Sequence, residues 1–123
     1  MKLHLQDAAN SYRFTAYGDD YVSINNVAYK KSLVITPNKL DTEWNVANFD
    51  LLTEQNFEFL LTFNAEILLL GTGRKLCFPH PGLYRSIMAA GIGLESMDTR
   101  AACRTYNILM GEGRRVAAAI IMD

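Results

Sequence analysis

Two short stretches of this chain have residue types at spacings that could do chemistry. The first is Gly71-Thr72-Gly73-Arg74, directly after an apolar run. A strand leading into Gly-x-Gly is where backbone N–H groups cradle phosphate at the carboxyl edge of an open sheet. The second is Asp98-Thr99-Arg100, at the head of an amphipathic stretch that continues to Arg104 and Tyr106. Thr99 or Asp98 would cap a helix there, leaving first-turn N–H groups able to receive an anion. Gly71, Thr72, Gly73, Arg74, Asp98, Thr99, Arg104 and Tyr106 are therefore the candidate ligand-binding residues. The motif itself is weak. Leu76 stands where a dinucleotide fingerprint needs its third glycine, the next helix starts only near Pro81, and no Walker pattern is present. A tight, well-packed turn is the commoner meaning of such a Gly-x-Gly.

Other reactive residues are sparse. Cys103 would need a histidine beside it to act as a nucleophile, and only His4 and His80 exist. A buried, inert thiol is the commoner case. Cys77-x-x-His80 has metal-like spacing but no second ligand pair. The order of residues offers no serine–histidine–acid set and no paired carboxylates, so no catalytic residue, metal or cofactor is assigned. Arg100 and Arg104 oppose the dipole of their helix, and Asp98 or Glu95 is the expected compensator in preference to a bound anion. Trp44, the single tryptophan, plugs a loop onto the core or stands out as a partner anchor. Arg114 and Arg115 pair with Glu112 or Asp123, or offer a partner a small basic patch. Trp44, Arg114 and Arg115 are the candidate partner-binding residues.

The elements that must position these groups can be read from periodicity. Residues 12–17 alternate, Gly18-Asp19-Asp20 turns, and residues 21–24 and 27–29 flank a tight Asn25-Asn26 turn. Residues 33–35, ended by Pro37, complete an antiparallel β meander. An irregular connector runs over residues 38–53. Thr53 caps a helix ending near Asn64, with Phe57, Leu60 and Leu61 on one face. Residues 66–70 make a central strand covered on both faces. Pro81 opens a helix whose apolar face is Leu83, Ile87, Met88 and Ala90, with Gly91 just past its end. A strand at 92–97, a helix at 99–110 and a strand at 116–121 follow. From residue 66 the order is β-α-β-α-β, the pattern of a mainly parallel sheet.

The chain has 123 residues, half of them hydrophobic and a fifth charged, which is one globular domain spanning residues 1–123. Twelve basic against thirteen acidic residues argue against bulk nucleic-acid binding. Near-neutral charge leaves little colloidal repulsion, so a homo-oligomer joined along the meander's edge is an alternative assembly. Its apolar runs, 67–70 and 116–122, are far short of the roughly 20 residues of a membrane span. With two cysteines and no leader pattern at residues 1–14, the cytoplasm is the expected compartment.

GIGLESMDTRAACRTYNILMGEGRRVAAAIIMD, with ILLLGTGRKLCFPHPGL and SLVITPNKLDTEW upstream, resembles the small domain family of the mitochondrial complex I assembly factor 3 and the adipogenesis-associated domain protein. The likeness runs over residues 21–121. Leu70-Gly71-Thr72-Gly73, Met97-Asp98-Thr99, Ala102-Cys103-Arg104-Thr105-Tyr106-Asn107 and the stretch from Glu112 to Ala119 are its most specific words. It implies a three-layer α/β domain with a mixed central sheet and an added β layer. It brings no catalytic set. The mitochondrial relative helps build the NADH dehydrogenase complex through protein contacts, which implies a non-enzymatic assembly module with protein partners, respiratory-complex subunits or other assembly factors. The rival expectation is a small-ligand binder or enzyme whose site joins residues 71–74 to residues 98–104, with the loop around Trp44 as a lid.

Overall fold

The alternating residues near the start build β1 (Phe14–Tyr17), β2 (Val22–Ile24) and β3 (Val27–Tyr29), an antiparallel sheet in that order. The structure is a computed structural model and describes residues 11–122; Leu3, His4, Leu5 and Asp123 lie outside them. Asn25 and Asn26 take φ of 48° and 71°, the left-handed pair that a two-residue hairpin turn requires. A register shift between Phe14 and Ala16 breaks the expected alternation, so Phe14 is buried and Ala16 exposed.

The meander ends sooner than its sequence suggests. The strand at 33–35 belongs instead to a second sheet, as β4 (Leu33–Thr36), and is buried at every position. Leu-Val-Ile is a continuous apolar run, which fits a strand covered on both faces and not a half-exposed meander edge. Pro37 does not end the pairing but sits in the turn to β5 (Lys39–Asp41), which pairs antiparallel with β4 inside the supposed connector. Thr53 caps α1 (Glu54–Leu60) with a reciprocal bond pair to Asn56, and Asn64 ends the following turn at φ 57°.

The rest follows β6 (Ile67–Gly71), α2 (Arg85–Ala89), β7 (Gly93–Met97), α3 (Thr99–Gly111) and β8 (Val116–Ile120). The five-stranded sheet has the order β5-β4-β8-β6-β7; β6 is parallel to β7 and β8, whereas β4 is antiparallel to β8. Period-two alternation sends β8 and β6 side chains to opposite faces. Leu69, Ala118 and Ile120 pack with α3 and the small sheet, while Leu68, Leu70, Ala117 and Ala119 pack with α1, α2 and the connector. Three layers result, with the mixed sheet in the middle. Pro81 does open a helix, a 3-10 turn over Pro81–Tyr84 that runs on into α2, but Met88 is 62% exposed where the sequence predicts an apolar face. Only Ile87 of that short helix is buried.

Candidate functional site

The carboxyl ends of β6 and β7 form the corner that the sequence singles out. From β6 the chain passes to α2 on one face of the sheet; from β7 it passes to α3 on the other. Such divergence is where open α/β sheets leave a ligand crevice. Here the crevice is laced by its own hydrogen bonds. Thr72 N–H donates to Met97 O at 2.9 Å, Thr99 N–H to Gly73 O at 2.9 Å, and Ile121 N–H to Gly71 O at 2.9 Å. Gly73 N–H donates to Thr99 Oγ1 at 3.0 Å. The N–H groups that would hold a phosphate therefore hold the neighbouring loop. Thr72, 2% exposed, uses its hydroxyl likewise, donating to Lys75 O at 2.7 Å and accepting from Cys77 N–H at 3.1 Å.

The glycines follow from packing. A Cβ on Gly71 would come within 2.8 Å of Ile120 Cδ1 and 3.3 Å of Ala102 Cβ, so glycine lets α3 lie close on the sheet. Gly73 has φ 95°, outside the range of ordinary side chains. Asp98, not Thr99, is the N-cap of α3, its Oδ1 accepting from Ala101 N–H at 2.9 Å. Above the lacing, a cleft of about 210 Å³ remains, bordered by Asp19, Gly73, Arg74, Asp98, Thr99 and Arg100.

Arg100, Arg104 and Asn107 make the polar stripe of α3, and the small sheet accounts for it. Arg100 reaches Asp19 at 3.0 Å, Arg104 donates to the Tyr17 hydroxyl at 3.3 Å, and Asn107 brackets the Phe14 backbone, accepting at 3.0 Å and donating at 2.8 Å. The direct partners of the two arginines thus come from β1 and the turn after it, while Asp98 acts on Arg104 only through its nearby charge and Glu95 makes no ion pair with either. Tyr106 is not brought to the corner. It is buried on the next face of the helix, stacks edge-on against Phe14 at 5.3 Å and donates to Tyr12 O at 2.8 Å. Burial pushes its phenol well above the usual range.

The opposite end of the sheet holds what sequence reasoning missed. A groove of about 1080 Å³ runs past the starts of β6 and β8, with Tyr12, Lys39, Phe63, Met110, Arg114 and Arg115 on its walls. Its parts come from four distant segments, so no local spacing announces it. Arg114 and Arg115 pair there with Glu66, at 2.5 Å and 3.6 Å, and not with Glu112. The bond from Arg114, aided by the charge of Arg115, holds the Glu66 carboxyl below its usual range. Arg115 also donates to Asn64 O at 3.1 Å, and Lys39 lies over the Phe63 ring at 5.5 Å.

Trp44 is 4% exposed, packed with Val46, Leu52 and Phe57 against the far face of the sheet, so it is a plug and not an exposed anchor. Its Nε1–H is buried without a hydrogen-bond partner among the described residues. Cys103 is buried, and its thiol is pushed up to about 12 chiefly by that burial, which leaves no thiolate at neutral pH. His80 Nδ1 accepts from Gly82 N–H at 3.0 Å, capping the turn before α2. Among the described residues no three histidine, cysteine or acidic side chains gather as a metal site would need.

Known proteins similar to this chain now have a structural frame. NADH dehydrogenase [ubiquinone] 1 alpha subcomplex assembly factor 3 of Mus musculus is 38% identical over 81 residues, covering 64% of this chain and 44% of the mouse protein. The chain thus spans less than half the length of that relative. A 13 kDa major membrane protein of Francisella tularensis is 28% identical over 109 residues, covering 88% of this chain and 89% of its own. A crystal structure of a Bordetella parapertussis protein superposes with a TM-score of 0.87 at 38% identity, covering 92% of this chain and 97% of that one. The model of a family described as a protein of unknown function, DUF498/DUF598, matches residues 14–121, and this chain belongs to that family.

Proposed function

We propose that this protein is a non-enzymatic assembly module that holds a protein partner during biogenesis of an NADH dehydrogenase-type complex. The observation that carries the reading is the relationship to assembly factor 3, at 38% identity over 81 residues. The corner at residues 71–74 and 98–104 supports it physically, since its backbone donors and hydroxyls already bond one another. The groove at the other end, with Arg114, Arg115 and Lys39 beside Phe63 and Met110, is the surface proposed for the partner. Deleting the gene in a host that possesses such a complex lowers the amount of assembled enzyme on native gels. Normal assembly in the deletion strain contradicts the reading.

A second reading places a small anion in the cleft beside Gly73 and Thr99, because exposed Arg74 borders it and makes no ion pair among the described residues. Phosphate, sulfate or a nucleotide then raises the melting temperature of the protein but not that of Arg74→Ala. Equal melting temperatures with and without each anion dispose of it.

A further inference from the structure

Between Glu66 and Glu95 the chain has no acidic residue, yet it carries Arg74, Lys75 and Arg85. This matters in a chain with twelve basic and thirteen acidic residues overall, because it sets these three cations apart from all thirteen acids. All three cations are exposed, and none makes an ion pair among the described residues. The acids around the adjoining cleft are engaged elsewhere: Asp98 caps α3 and Asp19 holds Arg100. The stretch is left with unbalanced positive charge.

Two large apolar side chains stand directly beside those cations. Phe78 is 74% exposed, the most exposed large apolar residue described, and Leu76 is 47% exposed. Between and after them, Cys77 is half-buried and Pro79 buried. That out-in-out-in order leaves both Leu76 and Phe78 presented to solvent within three residues of each other. The Thr72 hydroxyl holds the backbone on either side of Leu76 in place, bonding both Lys75 O and Cys77 N–H.

We propose that residues 74–78 dock this protein on the surface of an anionic phospholipid bilayer. Phe78 and Leu76 enter the interfacial layer, and Arg74 and Lys75 lie among the lipid phosphates. Charge complementarity calls for an anionic partner. A bilayer offers an apolar layer beneath phosphates wherever the ridge lands, whereas an acidic protein needs a recess shaped to Phe78. The contact proposed is peripheral, and no helix among the described residues is long and apolar enough to cross a membrane. Two inserted side chains with a few cations give a weak, reversible attachment. The inference stands on this loop alone and is independent of the assembly reading.

The test is co-sedimentation of the full chain with phosphatidylcholine vesicles and with vesicles in which a third of the lipid is phosphatidylglycerol. The protein is expected to pellet with the mixed vesicles at low salt, to be released at high salt and to ignore phosphatidylcholine alone. Leu76→Ser with Phe78→Ser lowers partitioning about tenfold, and Arg74→Gln with Lys75→Gln lowers it more than tenfold, at about fivefold per cation. All four side chains are exposed, so circular dichroism melts should match the parent. Ile108→Ser, altering a 62% exposed residue on α3, retains binding. No binding to mixed vesicles, equal binding to both kinds, or equal loss with Ile108→Ser overturns the proposal. So does a loop that captures an acidic protein while ignoring vesicles.

Discussion

At the carboxyl ends of β6 and β7, backbone groups and hydroxyls bond to one another across a corner; at the amino ends of β6 and β8, charged side chains ring a groove. Both are polar, but only the corner looked like a site in the sequence; of the groove, Arg114 and Arg115 alone stood out there. The difference lies in what the polar groups have for partners. Gly73 and Thr99 exchange hydrogen bonds in both directions, and Thr72 makes several of its own. Arg114 and Arg115 share one half-exposed carboxylate, Glu66, Arg115 adds a bond to Asn64 O, and both side chains are otherwise exposed. A buried donor that loses its acceptor costs the full desolvation of the group, whereas an exposed ion pair is worth little. Polar residues at the first end therefore hold the fold, and those at the second remain available.

Substitutions at the two ends should separate these roles. Thr72→Val keeps the shape but leaves Cys77 N–H and Lys75 O without their hydroxyl, and should cost about 2–3 kcal/mol in chemical denaturation. Asn107→Ala unties the Phe14 backbone from α3, an expected loss of about 1–2 kcal/mol by the same measurement. At the groove, Arg114→Ala with Arg115→Ala should cost less than about 1 kcal/mol. If that double variant were as unstable as Thr72→Val, the contrast between the two ends would fail.

The smallest effect concerns pH. The folded protein holds the Glu66 carboxyl below its ordinary value of 4.5. Its contribution to stability is therefore complete above 4.5 and fades as pH falls through the lowered folded value. The stability difference between the protein and Glu66→Gln should shrink on acidification below 4.5, and a difference that persists at the most acid pH tested would mean that the carboxylate's charge is not its source. Denaturation midpoints for the pair across that range measure it.

Much of this was legible in the sequence. The Asn25-Asn26 turn, the Thr53 cap, the glycine past α2 and the β-α-β-α-β order all follow from local chemistry, and local chemistry is what a sequence displays. Where long-range pairing decided, reading stopped short. Nothing near residues 33–35 says that their strand pairs with β8 rather than with the meander, apart from its unbroken apolar run. The polar stripe of α3 was visible, but its partners lie some ninety residues earlier in the chain, as in the 93-residue separation of Asn107 and Phe14. The groove was invisible because each wall is an ordinary turn by itself. Arg114 and Arg115 stood out in the sequence, but Glu66 comes to them only through the parallel pairing of β6 and β8.

Complementation tests the central claim most directly. In a deletion strain with an NADH dehydrogenase-type complex, the parent gene, Arg114→Glu with Arg115→Glu, and Arg100→Ala with Arg104→Ala are each restored, and assembled complex is measured on native gels. Groove variants that fold but fail to restore assembly, beside corner variants that restore it, are the predicted result. Restoration by the groove variants and failure by folded corner variants would contradict the account.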